Sequence, residues 1–350
     1  MGRFALVDLL KVVAAQCIVM HHLAAYGPIA DRVAQRWPLL IDWLFQDARL
    51  AVQVMLVIGG FLAAGALQRQ PLERPLSLIM RRYLRLVPPM LCALALIAVV
   101  VGFFRPLIDA EWLTPAPSLK LVLAHALLLQ DWLDLEALSV GVWYVAIDLQ
   151  LFALLTFLVC AFQRKASAQV TWPLLIALAG ACVASMAWFN HFVALDHCAL
   201  YFFGAYGLGV LAAWARVQRR ARPMFFLVGL LAVAAYWDFP RSRLLVALAT
   251  AWLLFTGAGW SFARGSAGAL LRRLGDASYA VFLIHFLLIV FASALWLEWP
   301  LEPGSPASAL ALGAGVVFAS AILGDAFHRW VELPLQERIY SLTAPVIPET

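Results

Sequence analysis

Seven titratable side chains lie inside long apolar stretches of this 350-residue chain. They are Asp8, Lys11, His21, His22, Asp148, His285 and Asp325. In hydrocarbon an ionisable group costs at least about 2.5 to 3.5 kcal/mol at mid-depth, so such groups are candidates for function by default. Carboxylates, an ammonium and imidazoles together supply the acids, bases and charge partners that proton transfer and group transfer need.

The first apolar stretch carries four of these groups at helical spacing. Lys11 and His22 are eleven residues apart, which puts them within about 20° on one helix face and about 16 Å apart along the axis. Asp8 precedes Lys11 by three residues and can pair with it, whereas His21 points about 100° away from His22. The pattern indicates a cation at one end and a general base, His22, at the other. A snorkelling lysine beside a packed histidine pair is the open alternative.

A cluster of arginines precedes the third apolar run. Arg81, Arg82 and Arg85 stand in a predicted loop, 68–86, just before Pro88 and Pro89. Arginine forks can hold phosphate groups by paired hydrogen bonds. The same cluster can instead fix membrane topology or bind anionic lipid, so both interpretations stay open.

Two further segments place polar groups inside apolar runs. The segment from Trp143 to Phe152 contains Asp148, a carboxylate that needs a partner or a wet cavity rather than lipid. Ser278 and His285 are seven residues apart and share a helix face. A packing hydrogen bond between helices is the alternative role for His285.

The amino-acid composition indicates whether the chain folds in water or in a membrane. Apolar residues make up 64% of the chain and charged residues 13%, against about 45–50% and 25% in soluble domains. A water-soluble enzyme is excluded, and the net charge of +5 is spread over short loops rather than clustered as a nucleic-acid site requires. The histidines and the five cysteines show no metal-ligand spacing, so we expect no bound metal.

Ten apolar runs are long enough to cross a bilayer as helices. They lie at about 7–27, 50–67, 87–104, 141–162, 172–189, 199–215, 223–237, 244–262, 277–297 and 307–327. A shorter apolar segment from Leu119 to Leu133 is predicted to be an interfacial or re-entrant helix. The prediction is an all-α, polytopic membrane protein with one domain over 1–340 and a short tail over 341–350.

The basic residues predict the orientation. Assigning alternate loops to opposite sides puts seventeen Lys and Arg residues with the N-terminus and seven on the other side, with Lys11 inside the first run. Cytoplasmic loops carry such an excess, so both termini are expected in the cytoplasm. Asp8 and Lys11 interrupt the first run, and no cleavage pattern follows, so a removed signal peptide is not expected.

Taken in chain order, six segments resemble the membrane acyltransferase-3 family. They are Asp8 to His22, Met55 to Leu62, Arg82 to Pro88, Trp143 to Phe152, Ser278 to His285 and Glu332 to Pro334. The chain departs from the family pattern at three positions. Lys11 stands where the family has Arg, Gly59 replaces Ser, and Asp148 replaces Glu.

The resemblance implies transfer of an acyl group, such as acetyl, from cytoplasmic acyl-CoA to a hydroxyl of an envelope saccharide or small acceptor. The phosphates of the donor would lie near Lys11, Arg82 and Arg85, with His22 as general base or acyl carrier. Asp148 would orient that histidine or the cation, or balance its positive charge. Further site candidates are Asp8, His21, Trp143, Ser278 and His285. Acyl-CoA is a substrate, so no bound cofactor is expected.

Other functions and settings stay open. A proton-coupled transporter would also place Asp, Lys and His inside the membrane, but the chain shows no repeated halves, which transporters often have. A catalytically silent relative is a third reading, given the three departures. The expected setting is a bacterial inner membrane, without nucleic-acid partners, and a homo-oligomer is left open.

Overall fold

The computed structural model describes residues 4–68, 75–162, 169–257, 259–260, 265–298 and 304–343, and within those ranges it is helical without strands. The α-helices are α1 (Ala5–Ala25), α2 (Pro28–Ala34), α3 (Pro38–Gln46), α4 (Ala51–Leu67), α5 (Pro75–Phe104), α6 (Leu119–Ala126), α7 (Val142–Phe162), α8 (Trp172–Ala187), α9 (Ala199–Val217), α10 (Arg222–Asp238), α11 (Ser242–Gly257), α12 (Gly265–Asp276), α13 (Ser278–Glu298), α14 (Pro306–Phe327) and α15 (Leu333–Thr343). A π-helical turn, His328–Glu332, joins the last two.

Each of the ten predicted spans coincides with a helix. In the described part of the chain, nine helical runs are long and apolar enough to cross a membrane, and the shorter apolar α11 accounts for the tenth prediction. The segment predicted to be interfacial begins with α6, whose eight residues are too few to span a bilayer. The protein is an all-α, multi-pass membrane protein.

Two segments predicted as loops contain helices. The helix α5 starts at Pro75, so Arg81, Arg82 and Arg85 lie on a helix rather than in a loop, and the helix continues through Pro88 and Pro89. Pro at a first helical position and the Leu, Ile, Met and Arg residues that follow all favour this start. Loop 263–276 likewise contains α12. Charges therefore mark the ends of the apolar runs but not the ends of the helices.

Some sequence predictions fall on parts of the chain outside the described residues. These are Arg3, Arg69, Arg74, Arg164, Lys165 and Arg264 of the basic loops, and residues 344–350 of the predicted tail.

Helix α9 lies at the centre of the larger part of the helical assembly. Nearly all its residues are buried, and it packs against α4, α7, α8, α10 and α11. Its closest crossing is with α4, where a Cβ on Gly60 would collide with the Tyr206 carbonyl and one on Gly209 with the Val57 carbonyl. Small residues at such crossings let helix backbones approach closely in membranes.

Helix α1 connects this central group to a second group of helices. It packs against α4 on one side and against α13, which in turn contacts α5 and α14, on the other. The main cluster of buried apolar side chains extends from the central group onto α5 and α13, and a second cluster lies among α2, α5, α13 and α14. The histidines near the end of α1 therefore lie where the two groups meet.

Candidate active site

His22 on α1 and His285 on α13 are joined by a direct hydrogen bond. His22 Nδ1 lies 2.7 Å from His285 Nε2, and the two ring planes are within 14° of each other. Both side chains are buried, His285 completely. The structure thus pairs two of the sequence-predicted site residues from opposite ends of the chain.

A main-chain carbonyl fixes the tautomers of this pair. His285 Nδ1 lies 2.7 Å from the Phe282 carbonyl oxygen, and only an N–H can donate to that acceptor, so Nδ1 of a neutral His285 carries the proton. Its Nε2 then accepts, and His22 Nδ1 must be the donor. A neutral His22 therefore keeps an unprotonated Nε2, and no other part of the described chain hydrogen-bonds that atom.

His22 lines a cavity of about 800 Å³. This volume falls in the range of small-molecule sites. Of the other predicted site residues, His21 and Trp143 also line it, together with Tyr26, Phe282 and three arginines discussed below. His21 Nδ1 donates to the Leu44 carbonyl at 3.3 Å, and Trp143 packs on Phe202 with ring centroids 5.7 Å apart. A histidine with an unprotonated ring nitrogen therefore belongs to the lining of a space that can hold a ligand.

Asp148 on α7 is paired with Arg82 on α5. The Arg82 Nε donates to Oδ2 at 2.9 Å, and its Nη2 donates to Oδ1 at 2.7 Å, which is the paired arrangement that makes Arg–carboxylate contacts strong. The Arg82 guanidinium also lies 5.1 Å from the centroid of the Phe152 ring. No hydrogen bond joins Asp148 to the histidine pair. The predicted catalytic carboxylate and the predicted donor-binding arginine thus form a unit of their own.

Gly59 lies beside this ion pair. A Cβ at position 59 would be 3.3 Å from Tyr206 Cε2 and 3.6 Å from Asp148 Oδ1. Tyr206 is completely buried, and its hydroxyl has no hydrogen-bond partner in the described chain. The glycine thus lets α4 approach the tyrosine and the carboxylate closely.

The remaining predicted residues are spread along the same helices. Asp8 is buried against α12, where a Cβ on Gly275 would lie 2.9 Å from the Asp8 Cβ, and Lys11 is partly buried one turn further on. Arg85 is exposed on α5. The Ser278 hydroxyl donates to the Gly275 carbonyl at 2.9 Å, which joins α12 to α13. Ser278 therefore serves a helix junction and does not contact His285.

Several contributors to the site were not predicted from sequence. Phe282 fixes His285 through its carbonyl, and Tyr144 packs on the Phe282 ring with centroids 5.3 Å apart. The Phe282 carbonyl belongs to the main chain, so no residue type in the sequence indicates its role. The aromatic residues resemble ordinary membrane-span residues. Arg241 and Arg243 were counted only among the seven basic residues of the side that carries fewer of them, without a role in the site.

The described side chains offer no metal site, because no three His, Cys, Asp or Glu residues among them come together as ligands. The chemistry available to this arrangement is that of an imidazole base next to a cavity. The histidine pair and the Arg82–Asp148 ion pair thus form a polar site between the helices of an integral-membrane protein.

A family model described as an acyltransferase domain, the acyltransferase-3 model, matches residues 4–325. The chain therefore belongs to the acyltransferase-3 family of membrane acyltransferases. Among curated proteins and solved structures, none matches the chain.

Proposed function

We propose that this protein moves an acyl group, such as acetyl, from cytoplasmic acyl-CoA to a hydroxyl group of an envelope saccharide or a related acceptor. The bacterial inner membrane is the proposed setting. The observation that carries the proposal is the unprotonated Nε2 of His22, held by His285 and the Phe282 carbonyl, beside a cavity of about 800 Å³. Membership of a membrane acyltransferase family supports the reaction class.

His22 acts as general base in this proposal. Its Nε2 takes the proton of the acceptor hydroxyl as the oxygen attacks the thioester carbonyl. The tetrahedral intermediate then expels the CoA thiolate, which receives the proton from the His22 imidazolium. His285 holds the ring throughout by accepting from Nδ1, much as a third group orients the histidine in a catalytic triad. His285 is thus a positioning residue.

An acyl-carrier role for His22 uses the same nitrogen. The Nε2 would attack the thioester, release the thiolate and transfer the acyl group to the hydroxyl in a second step. Acyl transfer that continues after donor is removed from a preloaded protein would indicate the carrier route. Transfer that stops with donor removal would indicate the general-base route.

The donor is proposed to enter from the cytoplasmic side. Lys11, Arg82 and Arg85 supply positive charge for its phosphates. The acid partner of Arg82 is Asp148, which holds the guanidinium in one orientation. Lys11→Arg is expected to preserve or raise transfer, because the larger fork can make two contacts to a phosphate. Complete loss would argue against a phosphate at Lys11.

The test of the function compares ester-linked acyl groups on envelope glycans by mass spectrometry in cells with wild-type protein and with His22→Ala. Protein levels are matched by immunoblot. We expect the ester signal to disappear in the variant. His191→Ala is the matched control, because His191 instead stacks on Phe239 with ring centroids 4.7 Å apart. Unchanged acylation in His22→Ala would refute the mechanism.

A further inference from the structure

Three arginines line the cavity that contains His22. They are Arg49, Arg241 and Arg243. All three fall in segments predicted as loops, which the distribution of basic residues assigns to the extracytoplasmic side, where the positive-inside pattern gives no reason for arginine. Another arginine of that side, Arg105, donates to the Leu113 and Thr114 carbonyls, and Arg49 donates to the Gln46 carbonyl at 3.0 Å. Such local hydrogen bonds do not explain why three arginines line one cavity.

The two arginines of α11 and the turn before it are arranged around one aromatic residue. Arg241 Nη1 donates to the Tyr201 hydroxyl at 3.1 Å, and the Arg243 guanidinium lies 4.5 Å from the centroid of the Tyr201 ring. Arg243 Nη2 also donates to Asn190 Oδ1 at 2.6 Å. These contacts hold both guanidinium groups in place with neutral partners.

The positive charge of these groups is only partly offset within the cavity. No ion pair within 4.0 Å joins any of the three arginines to a carboxylate of the described chain. Arg243 Nε is buried without a hydrogen-bond acceptor among the described residues. Asp47 also lines the cavity, so three arginines and one aspartate give a net charge of two positive with neutral histidines. Two like charges held around one ring repel each other, and an anion bound near both would offset this repulsion.

We infer that this cavity binds the acceptor through an oxyanion, a carboxylate or a phosphate, carried on a hydroxylated saccharide. Arg49, Arg241 and Arg243 bind the oxyanion, and a hydroxyl of the same molecule faces His22. The inference deepens the proposed function, since it names the substrate class. Fixed guanidinium groups form paired hydrogen bonds with oxyanions at low ordering cost.

The test measures binding to purified protein in nanodiscs, without acyl donor, by isothermal titration calorimetry. The probes are methyl glucuronide as carboxylate, glucose 6-phosphate as phosphate and glucose as neutral control. We expect at least one charged probe to bind about tenfold or more tightly than glucose. A preference for glucuronide points to acidic sugars, and one for the phosphate points to phosphorylated saccharides.

Arginine variants test whether the preference for a charged probe over glucose comes from the cavity. Arg241→Gln and Arg49→Gln should each reduce the affinity for the preferred charged probe toward that of glucose. Arg36→Gln, which changes an exposed arginine outside the cavity lining, should leave it unchanged. An altered size-exclusion profile of Arg241→Gln would show that this variant is misfolded. Arg49 is exposed, so Arg49→Gln should fold normally and would then still test the site.

Equal affinity for charged and neutral probes, or no detectable binding of any of them, overturns the inference. So does a charge preference that survives in both variants. Because the measurement uses no donor, it is independent of catalysis. Charge-selective binding in a protein that transfers no acyl group would refute the proposed function and leave this site standing.

Discussion

His22 Nδ1 and His285 Nε2 lie 2.7 Å apart although 263 positions of sequence separate the two residues. One residue lies near the end of the first long helix and the other in the middle of α13. The hydrogen bond between the two histidines therefore forms only when both helices have docked.

Removing the orienting group should lower turnover more than binding. His285→Leu leaves His22 Nδ1 without its acceptor, so we expect kcat to fall by at least about tenfold, less than the roughly 10²–10⁴-fold contribution of a general base because His22 itself remains. KM for the acceptor should change little. His285→Gln offers a carbonyl oxygen at similar reach and should retain more activity than the leucine variant. Equal activities of both variants would contradict a positioning role.

The pairing of Arg82 with Asp148 should appear in a double-mutant cycle. Asp148→Leu leaves a desolvated guanidinium without a counter-charge, and breaking such a pair typically costs about 3–5 kcal/mol. The double variant Arg82→Leu with Asp148→Leu should lose less stability than either single variant. Thermal unfolding in detergent, followed by tryptophan fluorescence, measures each stability. Additive losses would show that the two side chains do not depend on each other.

The double variant also separates structure from donor binding. If Arg82 binds the donor phosphates in addition to pairing with Asp148, the folded Arg82→Leu, Asp148→Leu double variant should have a raised KM for acyl-CoA. An unchanged KM in that variant would confine Arg82 to a structural role.

The crossing of α4 and α9 should not tolerate a methyl group. Gly209→Ala places a Cβ against the Val57 carbonyl, and overpacking of this kind costs typically about 1–3 kcal/mol or more. Gly180→Ala is the matched control, because nothing lies within 4 Å of a Cβ there. It should be neutral or stabilising by about 0.5–1 kcal/mol, since alanine favours a helix. Equal melting temperatures for the two variants would contradict this packing.

His125 is expected to make the segment around α6 sensitive to acid. Its Nδ1 donates to the Leu121 carbonyl at 2.8 Å, and its Nε2 accepts from the Leu138 N–H at 3.2 Å, an arrangement that requires the neutral ring. Burial lowers the pKa of His125 from its ordinary 6.5. The neutral ring therefore stabilises the segment fully above pH 6.5, and this contribution is lost as the pH falls towards the lowered value.

Hydrogen exchange of residues 121–138 between pH 7.5 and 5 can measure this effect after correction for the intrinsic rate. Protection should fall with pH in the wild type. His125→Gln keeps a donor and an acceptor without titrating near neutrality, so its protection should be independent of pH. The same pH dependence in both proteins would exclude His125 as its cause.

The spans could be predicted from sequence because each is a long apolar run, and candidate site residues could be selected because charge is rare inside such runs. The sequence alone could not assign partners. Asp148 was predicted near a histidine or a cation, and only the packing of α5 on α7 selects Arg82. The helical periodicity placed His22, and not His21, on the face of Lys11, but both histidines line the same cavity. Adjacent residues on one helix can flank a wide opening, which periodicity alone does not reveal.

Phe282 contributes to the site with both its main chain and its side chain. The carbonyl holds the His285 tautomer, while the ring forms part of the cavity wall. No substitution at position 282 removes a carbonyl, so the residue can vary over evolution without losing the proton arrangement of the histidine pair. Changes at this position would instead reshape the space next to His22. Relatives with different acceptors can therefore diverge at this site while the proposed base, His22, remains the same.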